Sequence, residues 1–155
     1  MQYWLMKSEP DEFSIDDLAA AKNRTTSWYG VRNYQARNFM RDQMRVGDTA
    51  FFYHSSCPEP GIAGTAEITA EAYPDATQFD RKSPYFDAKA TRDTPRWISV
   101  DVTLIDKLRL VSLAELRAQP ELAGMRLLQR GNRLSVMPVD PAEWTFILKL
   151  ARRKS

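Results

Sequence analysis

The chain of 155 residues has little cysteine or histidine: Cys57 and His54 are the only ones. A single cysteine excludes an internal disulfide and favours a reducing compartment, so a cytoplasmic location is expected. One histidine with one cysteine is too few for a metal site, which needs several such ligands together. No glycine-rich phosphate loop is present either. The sequence therefore predicts no metal and no cofactor.

Long hydrophobic runs and a strong net charge are also missing. No apolar stretch approaches the roughly 18 residues of a membrane span, and residues 1–7 lack the features of a signal peptide. The net charge of +2 neither indicates nor excludes a nucleic-acid partner. With 43% hydrophobic and 27% charged residues, the chain is typical of a soluble globular protein. We expect one domain over residues 1–155, with a short basic tail from about residue 151.

Catalytic side chains are sparse as well. The carboxylates lie scattered at predicted helix caps and exposed strand positions, with no pair suited to glycoside chemistry. His54 follows a strand beside Ser55 and Cys57, but neighbours on one strand do not point at one another, and no acidic residue is placed to orient the imidazole. A hydrogen-bond donor or a pocket wall is therefore favoured for His54. The sequence predicts a binding module, with an enzyme or binder of a nucleotide-like small molecule as an alternative.

The densest chemistry lies in residues 28–38, with the sequence WYGVRNYQARN. Gly30 indicates a turn. From Asn33, a plausible N-cap, apolar residues recur at steps of three and four, which predicts a helix to about residue 45. The free N–H groups at such a helix start suit an anion or a polar ring edge. Two interpretations of Trp28 stay open: a stacking platform for a flat heterocycle, or a core residue beside solvated arginines.

A basic stripe is predicted along this helix, because three arginines step by four residues: Arg37, Arg41 and Arg45. Such a stripe is usually only a solvated face, but it also suits contacts with phosphates.

Glu9 follows the first predicted strand, and two interpretations of it are open. A buried glutamate needs a cationic partner, and Arg32 or Arg133 would supply a structural salt bridge. Alternatively, the Glu9 carboxylate accepts a hydrogen bond from the exocyclic amine of a base.

Alternation and β-forming residues predict five strands, near residues 3–7, 49–54, 62–72, 97–110 and 133–137. The second and third are joined by a short loop and are expected to pair antiparallel. Gly64 predicts a bulge or a close backbone approach. Residues 23–27 and 73–95 are predicted loops, and the second is long enough to suggest a function. Together with four or five helices, such strands favour a small curled barrel.

Several motifs lie in order along nearly the whole chain: YWLMKSEP at residues 3–10, WYGVRNYQARN at 28–38, FYHS at 52–55, PGIAG at 60–64, YPD at 73–75 and RLSV at 133–136. On these motifs the chain resembles the EVE domain family of the PUA-like superfamily, which is related to the thymocyte nuclear protein. It looks like a stand-alone bacterial-type member. The resemblance implies an α+β fold, a PUA-like curled β-barrel of five to six strands flanked by short helices. Tyr29 departs from the family pattern, at a position expected to be exposed.

The resemblance also implies a function, because the family is similar to YTH domains, which hold a methylated base in an aromatic cage. It implies a nucleic-acid-binding module that reads a modified base, with modified cytosine in DNA or a modified base in RNA as the target. A general PUA-type RNA-binding module without this requirement is an alternative. We expect no membrane partner and a monomer. Carried onto this chain, the base-binding pocket comprises Ser8, Glu9, Trp28, Gly30, Val31, Arg32, Asn33, His54, Ser55, Trp97, Arg133 and Ser135, with phosphate contacts from Arg37, Arg41 and Arg45.

Overall fold

The computed structural model describes residues 1–153 and contains, in that range, one six-stranded mixed sheet with four short helices. The strands are β1 (Tyr3–Ser8), β2 (Thr25–Trp28), β3 (Thr49–His54), β4 (Gly61–Pro74), β5 (Ile98–Ser112) and β6 (Val136–Val139). The helices are α1 (Ile15–Ala20), α2 (Tyr34–Asn38), α3 (Leu113–Arg117) and α4 (Pro141–Arg152). No helix within the described range is long and apolar enough to cross a membrane.

The strand order in the sheet is β2-β5-β4-β3-β1-β6. β1 runs parallel to β3, and the other pairs are antiparallel, including the predicted pair of β3 and β4. The α+β class agrees with the prediction, and the six strands lie within the five to six that the resemblance implies. The sheet is not a closed barrel, however, because β2 and β6 form its two ends and do not pair with each other in the described part of the chain.

The hydrophobic core lies on both faces of the sheet, because successive side chains of a strand point to opposite faces. In β1, Trp4 belongs to the core on one face and Leu5 to the core on the other. On the second face, α4 places the Trp144 ring against Phe51, with a centroid distance of 4.0 Å and an interplanar angle of 24°. The first face packs against α1 and α2 and carries the functional site described below.

Two strands differ from the sequence prediction. β2 lies in the predicted loop of residues 23–27, where Thr25 pairs with Thr103 of β5 and their hydroxyls are 2.7 Å apart. β2 was missed because it has no apolar alternation before Trp28. β6 begins three residues later than predicted and includes Pro138, which pairs with Trp4. Proline is tolerated there because β6 is an edge strand.

The close backbone approach predicted at Gly64 is confirmed. The pairing of β4 with both neighbouring strands shifts register beside this residue. A Cβ atom at Gly64 would lie 2.7 Å from the carbonyl oxygen of Asp106 and 2.6 Å from the Ile15 Cδ1 atom. Glycine therefore lets β5 and α1 approach this point of β4.

The helix predicted from Asn33 to about residue 45 begins as predicted and ends at Gln43. The Asn33 side chain accepts a hydrogen bond from the Ala36 amide at 3.0 Å, which confirms the N-cap. After Asn38 the chain forms one π-helical turn, Phe39–Gln43, and the helix stops before Arg45. A π turn contains an additional residue, so steps of four no longer keep side chains on one face.

The last helix, α4, extends past the point where the basic tail was expected to begin. Asp140 and Glu143 form a capping box, and Pro141 occupies the first turn. α4 continues through Arg152, so the basic tail does not begin at residue 151. Lys154 and Ser155, which belong to the predicted tail, lie outside the described residues.

Candidate functional site

A cavity of about 550 Å³ opens at one end of the sheet. Its volume lies in the usual range of small-molecule sites, about 300–1,000 Å³, and accommodates a flat heterocycle. The lining residues come from five separate segments: Lys7, Ser8, Glu9, Glu12, Phe13, Thr26, Ser27, Trp28, Tyr29, Gly30, Val31, Ser55, Ser56, Tyr85, Arg133 and Ser135.

The sheet topology explains why these segments meet. Parallel pairing of β1 with β3 places their carboxyl ends at the same edge, where the Ser55 amide donates to the Ser8 carbonyl at 2.9 Å. On the other side of β1, the Lys7 amide donates to the Ser135 carbonyl at 2.8 Å. The motifs that follow β1 and β3 and precede β6 therefore converge on one opening.

Trp28, at the end of β2, is both a core residue and a wall of the cavity. Only 7% of its surface is exposed, and its ring meets Phe52 edge to face with centroids 5.4 Å apart. The same residue lines the cavity. Trp28 is therefore a core residue that also borders the cavity, and its role as a stacking platform stays a prediction.

Tyr85 closes the cavity against the turn at Gly30. Gly30 has φ of +85°, as the predicted turn requires, and a Cβ there would lie 2.9 Å from the Tyr85 ring. The Tyr85 hydroxyl donates to the Glu12 carboxylate at 2.6 Å. Burial, and then the nearby Glu12, raise the pKa of this phenol, so it stays a protonated donor. Tyr29, which is 45% exposed as expected, places its ring edge against Tyr85.

A buried carboxylate holds the Tyr85 loop in place. Asp75 is 0% exposed, and its Oδ2 accepts from the Gly30 amide at 2.8 Å and from the Arg32 guanidinium at 3.1 Å. Its Oδ1 accepts from the amide and the hydroxyl of Thr77. Arg32 in turn donates to the Tyr85 carbonyl at 2.7 Å. Arg32 therefore clamps the loop over the cavity and does not line it.

Glu9 does not form the predicted buried salt bridge. Its side chain is exposed, because β1 ends at Ser8 and the chain turns outward. Among the ion pairs of residues 1–153, Arg32 is paired with Asp75 and Arg133 with no carboxylate. The lining of the cavity thus includes two carboxylates, from Glu9 and Glu12, and two cations, from Lys7 and Arg133. Burial lowers the pKa of Lys7.

Eight of the twelve residues predicted for the pocket line this cavity: Ser8, Glu9, Trp28, Gly30, Val31, Ser55, Arg133 and Ser135. Eight further lining residues were missed: Lys7, Glu12, Phe13, Thr26, Ser27, Tyr29, Ser56 and Tyr85. The unusual length of the predicted loop over residues 73–95 was a signal for Tyr85. Of the other seven, five adjoin predicted residues or lie in β2, and Glu12 and Phe13 lie in the turn after β1. None of the seven carried a separate signal in the sequence.

The remaining predicted pocket residues, Arg32, Asn33, His54 and Trp97, lie outside the lining. Asn33 caps α2 and lines a neighbouring depression. The buried Trp97 ring stacks on Tyr34 at 4.8 Å, and its indole N–H donates to Asp87 at 2.8 Å. Trp97 thus packs the loop that carries Tyr85 and does not offer a free ring face to the cavity.

His54 is a hydrogen-bond acceptor outside the cavity lining, whereas the sequence favoured a donor or a pocket wall. Its Nε2 accepts from the Ile15 amide at 3.1 Å, which requires a neutral ring with its proton on Nδ1. Burial lowers the pKa of this imidazole, with nearby Asp16 opposing the shift. Within residues 1–153, no three His, Cys, Asp or Glu residues lie in a group that would hold a metal ion.

The free energy of unfolding should decrease as the pH falls below about 6.5, the ordinary pKa of histidine. Burial disfavours the charged His54 ring, so the imidazole binds a proton more tightly in the unfolded chain than in the folded protein. The stability that neutral His54 contributes is fully present above the pKa of the unfolded state. It is lost as the pH falls toward the lower pKa of the folded state. Urea denaturation of the wild type and of His54→Gln, which keeps an acceptor but does not titrate, checks this. Identical pH dependence of the two proteins between about pH 7 and 5 contradicts the assignment.

The arginines of the predicted stripe are separated and already engaged. Arg41 forms an ion pair with Asp42, with 2.8 Å between nitrogen and oxygen. Arg37 donates to the Arg96 carbonyl at 2.8 Å. Arg45 donates to backbone carbonyls next to it. The early end of the helix and these contacts leave no continuous basic face along α2.

Known proteins are similar to this chain in sequence and in fold. The profile of the EVE domain family matches residues 2–150. Human thymocyte nuclear protein 1 is 45% identical over 170 residues, which cover 98% of this chain and 75% of the human protein. A crystal structure of a Pseudomonas putida protein is 55% identical, with a TM-score of 0.92 over 96% of this chain and 99% of that one.

The chain is also similar to a relative whose structure contains DNA. The crystal structure of human thymocyte nuclear protein 1 with 5-methylcytosine-containing DNA is 44% identical, has a TM-score of 0.94, and covers 100% of both chains. The PUA-like arrangement of the sheet and helices is shared with these structures. With a profile match over almost its whole length and relatives of this similarity, the chain belongs to the EVE domain family.

Proposed function

We propose that this protein is a binding module that takes a modified cytosine of DNA into the cavity beside Trp28. The observation that carries the proposal is the cavity itself, where aromatic rings and carboxylates face one space of about 550 Å³. The human relative bound to 5-methylcytosine-containing DNA supports the choice of base, since it aligns over the whole chain with a TM-score of 0.94.

The lining suits cytosine chemically. The exocyclic amine of cytosine is a hydrogen-bond donor, and carboxylates such as Glu9 and Glu12 accept from it. The ring of Trp28 supplies a stacking surface, worth about 1–3 kcal/mol per base. Apolar Phe13 and Val31 offer contacts for a methyl group at the ring edge.

The base must leave its stack to enter the cavity. Extrusion from a duplex costs a few kcal/mol, and less for an unpaired base. Stacking inside the cavity offsets a cost of this size, so the net affinity depends on the methyl contact and on the nucleic-acid backbone.

The proposed function is binding of the base without catalysis of a reaction. The Nε2 of His54, the lone imidazole of the sequence, is occupied by the Ile15 amide and does not face the cavity. An imidazole that acts as a general base needs a free nitrogen within hydrogen-bond reach of the substrate. The proposal places the protein in the cytoplasm, on the basis of its lone cysteine.

A matched set of oligonucleotides tests this function by fluorescence anisotropy. We expect 5-methylcytosine to bind at least about four-fold more tightly than cytosine, because a buried methyl group contributes about 0.8 kcal/mol. Thymine at the same position carries the methyl group but replaces the amine with an acceptor, so the carboxylates should reject it. Equal binding of all three bases contradicts base reading. An RNA that binds equally well with and without a modified base would favour the general RNA-binding alternative.

A further inference from the structure

We propose that an exposed arginine surface beside the cavity binds the phosphates that flank the inserted base. This surface, called the 126–133 surface here, consists of Arg126, Gln129, Arg130, Asn132 and Arg133. The inference rests on the proposed function, because it extends the base site to the backbone attached to that base.

The 126–133 surface is continuous with the cavity. Arg133 lines the cavity and also a neighbouring open depression of about 460 Å³, in which Arg126 and Arg130 lie. Lys7 likewise lines both the cavity and a further depression that contains Arg117 and Arg130. Neither depression has an aspartate or glutamate in its lining. A chain of cations thus extends from the mouth of the base site.

The arginines of this surface are free to bind an anion. Arg126, Arg130 and Arg133 are exposed, and none has a carboxylate within 4.0 Å in the described part of the chain. The guanidinium of Arg126 lies 5.7 Å from the centre of the Phe39 ring, which orients it without neutralising it. Arginine suits phosphate oxygens, because its planar fork donates two parallel hydrogen bonds.

The backbone beneath these arginines is held in place. Leu127 is buried, and the Asn132 side chain accepts from the Leu134 amide at 2.9 Å and donates to the Arg126 carbonyl. Gly131, with φ of +81°, allows the turn that returns the chain toward β6. A surface that is ordered before binding loses less conformational entropy when the ligand arrives.

Positive charge alone does not distinguish the 126–133 surface as the phosphate site, because α2 and the segment after it also carry arginines. Arg41 already pairs with Asp42, and the π turn separates it from Arg37 and Arg45. The 126–133 surface has uncompensated cations and adjoins the cavity. A nucleic-acid backbone is therefore the partner that fits, since its phosphates are attached to the base inside.

The salt dependence of binding tests the inference. Each phosphate contact contributes about 0.9 to the slope of log K against log salt on duplex DNA. We expect the double variant Arg126→Gln and Arg130→Gln to reduce this slope by about 2, with an unchanged ratio of affinities for 5-methylcytosine and cytosine. The matched control, Arg41→Gln with Arg45→Gln, removes the same charge and should leave the slope nearly unchanged.

The possible outcomes are separable. An unchanged slope in the Arg126 and Arg130 variant, or an equal reduction in the control, overturns the inference. A wild type that binds methylated and unmethylated duplexes equally refutes base reading, while the slopes on the unmethylated duplex still decide the phosphate surface. If the double variant does not fold, Arg130→Gln alone, whose side chain makes no hydrogen bond within residues 1–153, should reduce the slope by about 1.

Discussion

We expect Asp75→Ala to lower the free energy of unfolding by about 3–5 kcal/mol, because it removes one partner of a buried ion pair. The carboxylate is 0% exposed and accepts from Gly30, from Arg32 and twice from Thr77. Without it, these donors are left unsatisfied and the Tyr85 loop loses its anchor. Urea denaturation measures the stability, and anisotropy with 5-methylcytosine DNA below the unfolding transition should show weaker binding.

Asp42→Ala is the matched control for Asp75→Ala. Asp42 also forms an ion pair with an arginine, but both partners are exposed, with 47% and 52% of the side chains accessible. Exposed pairs contribute little to stability, so this variant should unfold almost like the wild type. A similar stability of both variants would show that Asp75 does not anchor the loop.

We expect Trp28→Ala to reduce stability and binding together. The loss of a buried tryptophan costs about 3–5 kcal/mol of stability. The lost stacking contact of about 1–3 kcal/mol should weaken binding of 5-methylcytosine DNA by about 5- to 150-fold. The position of Trp28 between Phe52 and the cavity is the reason for both effects.

Trp144→Ala separates the two effects of Trp28→Ala. Trp144 is similarly buried but stacks on Phe51 on the opposite face of the sheet. The Trp144→Ala variant should therefore show a similar decrease in melting temperature. Its affinity for 5-methylcytosine DNA should equal that of the wild type at a temperature where the variant is folded. Wild-type affinity in Trp28→Ala would exclude the stacking role and leave Trp28 as a core residue alone.

The sequence predicted the elements whose signals are local. Alternation and β-forming residues located β1, β3, β4 and β5, and cap chemistry located the start of α2. It missed β2, whose three threonine and serine residues resemble a loop. It also missed the π turn after Asn38, because the apolar spacing there is compatible with a regular helix.

The residues of the site could be predicted where they belong to one continuous motif of the sequence. They could not be predicted where the tertiary structure determines which side chains reach the cavity. Gly30 and Val31 line the cavity, whereas Arg32, the next residue, is directed to Asp75. Tyr85 reaches Glu12 only because Asp75 and Arg32 hold its loop, and no local pattern connects such distant positions. The resemblance identified the motifs, but it did not distinguish side chains that line the cavity from those that support it.

The position of β1 between β3 and β6 has a consequence for folding during synthesis. β1 is made first, yet Tyr3 pairs with Thr49 in β3 and with Val139 in β6. The ribosome must therefore release nearly the whole chain before β1 has both neighbours. Folds dominated by such non-local pairings form slowly, on the order of milliseconds to seconds. Until β6 emerges, the nascent chain exposes an unpaired strand edge rich in apolar residues, which is a feature that chaperones bind.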